Sequence, residues 1–289
     1  MDIAMLGTGR MGFPMARRLC QAGYTVHVWN RDAAKAQPLA ADGAVPHASA
    51  ASAAAAGEIV MGMLLDGPAV ASVLFEHGAA AAMRPGALFV DMASIQPGEA
   101  RAHAARLAQH GIGALDAPVS GGTVGAEAGT LAIMAGGGAA DFARALPLLQ
   151  VLGRATHVGP HGAGQLAKLA NQMIVGITIG AVAEALLLAA KGGADMAKVR
   201  EAIAGGFADS RILQLHGQRM VERDFAPRGR MTVQLKDMRN ALATAQELGF
   251  EAPVTRLFES LYADAVAHGL DGLDHSGLFV ELARRNAME

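Results

Sequence analysis

The run Gly7-Thr8-Gly9-Arg10-Met11-Gly12 constrains this chain more than any other feature. It lies between an apolar segment, residues 3–6, that reads as a buried strand, and residues 11–22, which read as a helix stopped by Gly23. In that setting the first glycine permits a tight turn. The second lets the backbone approach a pyrophosphate, and the third lets helix pack on strand. The helix N-terminus then offers free N–H groups and partial positive charge to phosphates. The pattern alone is weak, and a glycine-rich turn without a ligand is the plain alternative. With its strand and helix, it marks Gly7, Gly9, Arg10, Met11 and Gly12 as the expected dinucleotide loop.

Further short apolar runs follow at 25–29, 59–64, 87–91 and 113–116, separated by helical patterns, with two later ones at 130–135 and 155–158. Strands alternating with helices imply right-handed crossovers and a mostly parallel sheet. The alanine-rich stretch 48–56 reads as a helix, because alanine has the best helix propensity. Beyond Gly159-Pro160-His161-Gly162 the strand signal stops, and helical periodicity runs from Gln165 to the end. The expected architecture is therefore α/β. A doubly wound N-terminal sheet at 1–160 binds a dinucleotide, and an all-α domain follows at 161–289.

Composition narrows the function. The formal net charge of -2 gives no drive toward nucleic acid or anionic membrane. A single cysteine, Cys20, rules out an internal disulfide framework and any multi-cysteine metal site, and nothing requires an oxidising compartment. A cytoplasmic enzyme is the expectation. His157 and His161 have a ligand-like spacing, but Gly159-Pro160 breaks the helix that would align them, so no metal is expected. The best membrane-span candidate is 173–190. Glu184 interrupts it and Lys191 ends it, so a buried core helix is the better reading, in which Gly176 and Gly180 let another helix approach.

Cofactor choice is read at the end of the second strand. An NAD site usually carries an acid there, about 20 residues beyond the glycines. This chain has Asn30, then Arg31, with Lys35 four positions on. A guanidinium pairs with a 2′-phosphate as a fork, so NADP(H) is expected, with NAD(H) as the alternative. A solvated charge is the plain reading of Arg31, and a helix N-cap that of Asp32.

Two segments point to substrate chemistry. Asp116-Ala117-Pro118-Val119-Ser120-Gly121-Gly122 follows a strand, where α/β sheets bind ligands. The Ser120 hydroxyl and the open backbone of Gly121 and Gly122 suit a carboxylate, although such a glycine pair also serves ordinary turns. Lys168 and Asn171 lie three apart near the start of the long apolar helix, on one face. A lysine ammonium there stabilises charge on a substrate oxygen and donates the proton. Burial or a second cation, for which Lys236 is the candidate, tunes such a lysine. Gly164, one turn earlier, is expected to leave room for a nicotinamide ring. A surface lysine is the plain alternative for Lys168.

These segments together resemble the β-hydroxyacid dehydrogenase family, which includes 3-hydroxyisobutyrate dehydrogenases, tartronate semialdehyde reductases and glyoxylate/succinic semialdehyde reductases. The matching stretches are GTGRMGFPMA from Gly7, DMASIQP from Asp91, DAPVSGG from Asp116, GAGQLAKLAN from Gly162, and Lys236-Asp237. The resemblance implies a Rossmann domain and an all-helical domain joined by a long helix, assembled as a dimer or tetramer. It implies Lys168 as catalytic acid/base, Asn171 as substrate holder, and Ser120, Gly121 and Gly122 as carboxylate binders. Ser94 and Lys236 would lie on the nicotinamide side, and Leu64 along the cofactor path. Asn30-Arg31 is similar to the NADP-preferring branch, which reduces semialdehydes and glyoxylate. Two alternatives remain: an NAD-dependent 3-hydroxyisobutyrate dehydrogenase, and a non-catalytic NADP-binding module. The chain departs from the family at Asn171-Gln172, where two asparagines are usual, and at Phe225-Ala226-Pro227-Arg228-Gly229-Arg230, where a phenylalanine is usual near Gly229.

Overall fold

The computed structural model describes residues 1–288. Contacts divide the chain into two compact units, Met1–Lys168 and Leu169–Glu289. The first holds one nine-stranded sheet. Its strands are β1 (Asp2–Leu6), β2 (Thr25–Trp29), β3 (Val45–Pro46), β4 (Ile59–Gly62), β5 (Leu88–Asp91), β6 (Gly113–Asp116), β7 (Val119–Ser120), β8 (Leu131–Gly137) and β9 (Gly153–Gly159). The order is β3-β2-β1-β4-β5-β6-β8-β7, with β9 also paired to β8. The first six strands run parallel. β8 is antiparallel to both β6 and β7 and parallel to β9.

The order turns back on itself at β1 and β4. That reversal opens a crevice at the strand C-termini, where such sheets bind ligands. β1, β4 and β5 are buried almost throughout, as expected of central strands covered on both faces. One core packs Ile3, Met5, Val26 and Ile59 against Met15 and Leu19 of the first helix, Gly12–Gln21. The other packs Ala4, Leu6, Val60 and Phe89 against Ala53, Leu74 and Leu107.

The alternation of strands and helices is as the sequence predicts, with ends shifted by a few residues. β8 and β9 extend beyond 130–135 and 155–158, and β4 stops short of 64. The alanine-rich helix forms at Ala50–Ala56, capped by reciprocal hydrogen bonds between Ser49 and Ser52. β3 and β7 escaped the sequence reading. Each has two residues, too few for any period to register.

The long helix Ala163–Lys191 begins in the first unit and continues through the second. In the second unit it packs with helices Arg211–Glu222, Met231–Glu247, Pro253–Ala265 and Leu278–Arg285 around Ile179, Leu186, Met220, Met238, Tyr262 and Phe279. Gly176 and Gly180 do let neighbours in, and those neighbours belong to the same chain. A Cβ at Gly176 would collide with Gln234 and Met238, and one at Gly180 with Phe258. By length and composition this helix is apolar enough to cross a membrane. It is also less buried than expected of a core helix. Ile174 and Leu188 are 66% and 74% exposed, because this chain covers only one face of a helix that is apolar all round.

Candidate active site

The glycine loop is built for close approach. Gly7 has φ +98, and a Cβ there would strike the carbonyl of Met63 and meet Leu64 Cδ2 at 3.0 Å. A side chain at Gly12 would run into the carbonyl of Gly7. Nothing lies within 4 Å of the space a Gly9 side chain would fill, so the middle of the loop is open. Thr8 is buried, and its hydroxyl has no hydrogen-bond partner among the described residues. An open glycine at the head of a helix and an unpartnered hydroxyl together fit a diphosphate. Arg10 is exposed at the helix entrance, and Met11 packs on the core.

Asn30 has a task the sequence did not reveal. Its Oδ1 accepts from Thr8 N at 3.0 Å and its Nδ2 donates to Asp32 O at 3.0 Å. The side chain braces the loop against the end of β2. Asp32 caps the next short helix by accepting from Ala34 N, and it also pairs with Lys35 at 3.7 Å. That pair is exposed, and such pairs are worth little. Arg31 is exposed, and among the described residues no hydrogen bond or ion pair holds it.

Further along the sheet edge, Asp91 ends β5 and Asp116 ends β6, opposite each other in register. Asp116 Oδ1 accepts from Gly162 N at 2.7 Å, and Oδ2 accepts from Gln165 N at 2.9 Å. A carboxylate thus receives the start of the long helix. Burial pushes Asp116 above the ordinary carboxylate range, while those two N–H groups pull the other way. Asp91 Oδ1 accepts from Ala93 N at 3.0 Å, and Oδ2 has no partner among the described residues. Burial pushes Asp91 up to about 8. The Ala93 N–H opposes this, and the charges of Asp116 and Glu99 add to it.

Lys168 is the last residue of the first unit and is 8% exposed, so the surface alternative does not hold. Gly164 corrects a sequence expectation. A Cβ there would collide with the carbonyls of Asp116 and Met134, so the missing side chain makes room for the sheet rather than for a ring. Ser94 is half-buried, in the turn after β5. Ser120 ends β7, and Gly121 and Gly122 are exposed, with φ +136 and +63. The first unit therefore carries the glycine loop, Asn30, Arg31, Lys35, Leu64, Ser94, Ser120, Gly121, Gly122 and Lys168.

Asn171 and Lys236 belong to the second unit. Asn171 Nδ2 donates to Gln172 Oε1 at 2.8 Å, and Gln172 Nε2 donates to Asp237 Oδ2 at 2.7 Å and to Gln234 Oε1 at 3.2 Å. Lys236 Nζ lies 3.2 Å from Asp237 Oδ1. The glutamine that replaces a second asparagine is therefore the centre of a buried polar chain.

The sequence reading passed over His216, Asp274 and His275, whose ligand-type atoms lie within 4.8 Å of one another. Asp274 is fully buried. It accepts from Arg228 N and Gly229 N at 3.2 and 2.8 Å, from Ser276 N and Oγ at 3.2 and 2.7 Å, and from Arg219 Nη1 at 3.3 Å. Burial alone would raise this carboxyl. The rings of His216 and His275, the Gly229 N–H and Ser276 outweigh it and hold Asp274 well below the usual range. Five donated hydrogen bonds, one of them from a guanidinium, leave little for a cation, so the cluster is a structural hub. It also explains the unusual Gly229 segment, whose N–H groups and the Gly229 carbonyl bind Asp274 and His275.

A Rossmann-like unit with an open glycine loop, followed by a helical unit, is the architecture of this NAD(P)-dependent oxidoreductase acting on CH–OH groups. The comparisons agree. Residues 2–159 match the NAD binding domain of 6-phosphogluconate dehydrogenase, and residues 162–282 match the NAD-binding domain of NADP-dependent 3-hydroxyisobutyrate dehydrogenase. The chain is 44% identical to the 2-hydroxy-3-oxopropionate reductase of Escherichia coli K12, over 96% of each protein. It is 38% identical to a 3-hydroxyisobutyrate dehydrogenase of Pseudomonas aeruginosa, over 93% of this chain and 95% of that one. Among solved structures, Mycobacterium tuberculosis 3-hydroxyisobutyrate dehydrogenase with L-serine superposes with a TM-score of 0.90 at 33% identity, covering 97% of this chain and 98% of that one. The chain belongs to the β-hydroxyacid dehydrogenase family, whose members act on small hydroxy acids and semialdehydes.

Proposed function

We propose that this enzyme is an NADP(H)-dependent reductase of small carboxylated aldehydes, with 2-hydroxy-3-oxopropionate first among them and glyoxylate and succinic semialdehyde of the same type. The observation that carries this reading is the 44% identity, end to end, with a 2-hydroxy-3-oxopropionate reductase. The absence of an acid at the end of β2, where Asn30 and Arg31 stand, supports the phosphorylated cofactor.

In this proposal residues 1–160 bind the cofactor, through Gly7, Gly9, Arg10, Met11 and Gly12 at the diphosphate, with Leu64 and Ser94 further along. Arg31 and Lys35 take the 2′-phosphate, and Asn30 holds the loop that receives it. The bound nicotinamide supplies the hydride. Ser120 and the N–H groups of Gly121 and Gly122 hold the substrate carboxylate. Lys168 Nζ donates a proton to the substrate carbonyl oxygen as negative charge develops there, and takes it back in the oxidative direction. Residues 161–289 carry Asn171 and Lys236, and the surface for self-association into a dimer or tetramer. Ile174 and Leu188 of the long helix are exposed apolar side chains suited to such a contact.

The test is turnover of 2-hydroxy-3-oxopropionate, glyoxylate, succinic semialdehyde and methylmalonate semialdehyde, and oxidation of 3-hydroxyisobutyrate, each with both cofactors. Preference for an aldehyde acid with NADPH supports the proposal. Preference for 3-hydroxyisobutyrate with NAD replaces it with the dehydrogenase reading, and no turnover of any pair leaves a binding module. The cofactor half is tested by calorimetry. A charge-assisted pair is worth about 1.5–3 kcal/mol, or roughly 10–150-fold in affinity. NADPH should bind tighter than NADH by that order, and Arg31→Ala should remove most of the difference. Tighter NADH binding by the wild type contradicts this half.

A further inference from the structure

We infer that Gln165 is a positioning residue: its carboxamide clips the turn carrying Ser94 to the helical turn that carries Lys168, and so sets the lysine relative to the cofactor side of the crevice. This rests on the proposed roles of Lys168 and Ser94.

Gln165 is fully buried near the start of the long helix. A buried glutamine in an otherwise apolar setting loses its hydration and must recover every hydrogen bond inside the protein. Gln165 makes one bond at each end of its amide, both to one target. Its Oε1 accepts from Ile95 N at 3.1 Å and its Nε2 donates to Ala93 O at 2.8 Å. The two bonds straddle Ser94. A planar amide bonded at both ends to one three-residue segment fixes that segment in direction as well as distance.

The other end of the clip is equally fixed. Gln165 N is held by Asp116 Oδ2 at 2.9 Å, and Gly162 N by Asp116 Oδ1 at 2.7 Å. Gly164 lies so close to the carbonyls of Asp116 and Met134 that no side chain fits between helix and sheet. Asp91 completes the frame by accepting from Ala93 N at 3.0 Å. The ends of β5 and β6, with the middle of β8 alongside, thus hold the first turn of the helix. Lys168 lies three residues beyond Gln165, one turn on and on the same face.

Gln165 has no acidic proton to give, and its amide is bonded at both ends to the Ser94 turn, so it takes no part in the chemistry. Its effect is on alignment, where a displacement of about 1 Å costs on the order of 10²-fold in rate. A residue that only supported the fold would lower the melting temperature and the active fraction. It would leave the turnover of the folded molecules unchanged.

The experiment compares wild type, Gln165→Met, Gln165→Asn and Lys168→Ala, with NADPH and 2-hydroxy-3-oxopropionate. Methionine keeps the length and loses both bonds. Asparagine keeps the amide but is one methylene too short to reach both partners, and it provides a milder variant if Gln165→Met fails to fold. The expected result for Gln165→Met is a fall in kcat of about 10–100-fold per folded active site. The NADPH Kd by calorimetry should stay within about twofold, and the primary isotope effect with 4-deuterated NADPH should rise. Amide hydrogen exchange should quicken at Ala93 and Ile95, a readout that needs no turnover. Gln165→Asn should fall between Gln165→Met and the wild type. If the folded variants turn over at the wild-type rate while Lys168→Ala is inactive, the clip is refuted and the catalytic reading stands. If Lys168→Ala turns over normally, both fall.

Discussion

Two buried aspartates, one in each unit, are pushed in opposite directions. Asp91 receives a single N–H, from Ala93, has the carboxylates of Asp116 and Glu99 for neighbours, and is pushed by burial up to about 8. Asp274 receives five hydrogen bonds, has Arg219, His216 and His275 around it, and is held far below the ordinary range despite its burial. Burial acts the same way on both. The number of donors and the sign of the nearest charges decide the outcome. The comparison also separates a site from a hub. The cluster of two histidines, an aspartate and an arginine looks more like a reaction centre, yet its carboxylate is saturated. The corner of the first unit looks plainer, and it is where open backbone, an unpartnered hydroxyl and a buried lysine occur.

The largest expected effect is on the hub. Removing one partner of a buried, hydrogen-bonded charge cluster costs about 3–5 kcal/mol. Asp274→Ala should therefore sharply lower the unfolding midpoint of the helical unit, and Asp274→Asn should cost less. Activity per folded molecule should persist, because this cluster has no part in the proposed chemistry. Denaturant unfolding followed by circular dichroism measures the loss. A midpoint unchanged by Asp274→Ala would break the contrast between hub and site.

The carboxylate nest comes next. Gly122 has φ +63, a conformation that a β-branched residue avoids. Gly122→Val should shift the backbone there and raise KM for acidic aldehydes by about 10-fold, the low end for a charge-assisted hydrogen bond. A neutral aldehyde should lose less, and NADPH affinity should stay close to wild type. Equal losses for both substrate types would remove the nest from the site.

The glycine loop, its strand and its helix were legible because they are contiguous, with each glycine answering to one local steric demand. The same holds for the alternation of strands and helices. The frame around Lys168 was not legible. Asp116 meets Gly162 across 46 positions, and Gln165 meets Ala93 across 72. No spacing rule connects residues that only the folded sheet brings together. Gly164 was misread for that reason, since the helical pattern around it does not show that two strand carbonyls pass beside it. The one available signal for Gln165 was a polar residue within an apolar helical face. Asn30 was noticed as a missing acid, while its bond to Thr8 depended on how the end of β2 turns.

The smallest expected effect concerns pH and Asp91. Its carboxyl is raised in the folded state from an ordinary value near 4 to about 8. Its contribution to stability is therefore fully present below about pH 4 and is lost as pH rises to about 8, because the unfolded chain ionises first. Asp274 has the opposite sign. Its contribution is present above the ordinary carboxylate range and is lost only in more acidic solution. Asp91→Asn removes the first term, so its melting temperature should exceed that of the wild type by a few degrees near pH 8.5, and the gap should narrow or reverse near pH 5. Scanning calorimetry at both pH values reads this difference. Parallel curves for the two proteins would mean that Asp91 is ionised in the fold.

The central claim is that Lys168 gives the proton to the substrate oxygen, and Lys168→Ala tests it most directly. NADPH oxidation on 2-hydroxy-3-oxopropionate should be measured for wild type and variant at equal concentrations of folded protein, with NADPH affinity determined alongside. A drop of about 10²–10⁴-fold in turnover, the usual scale for a general acid, with cofactor binding nearly unchanged, is the predicted result. Near-normal turnover by a folded Lys168→Ala would contradict it.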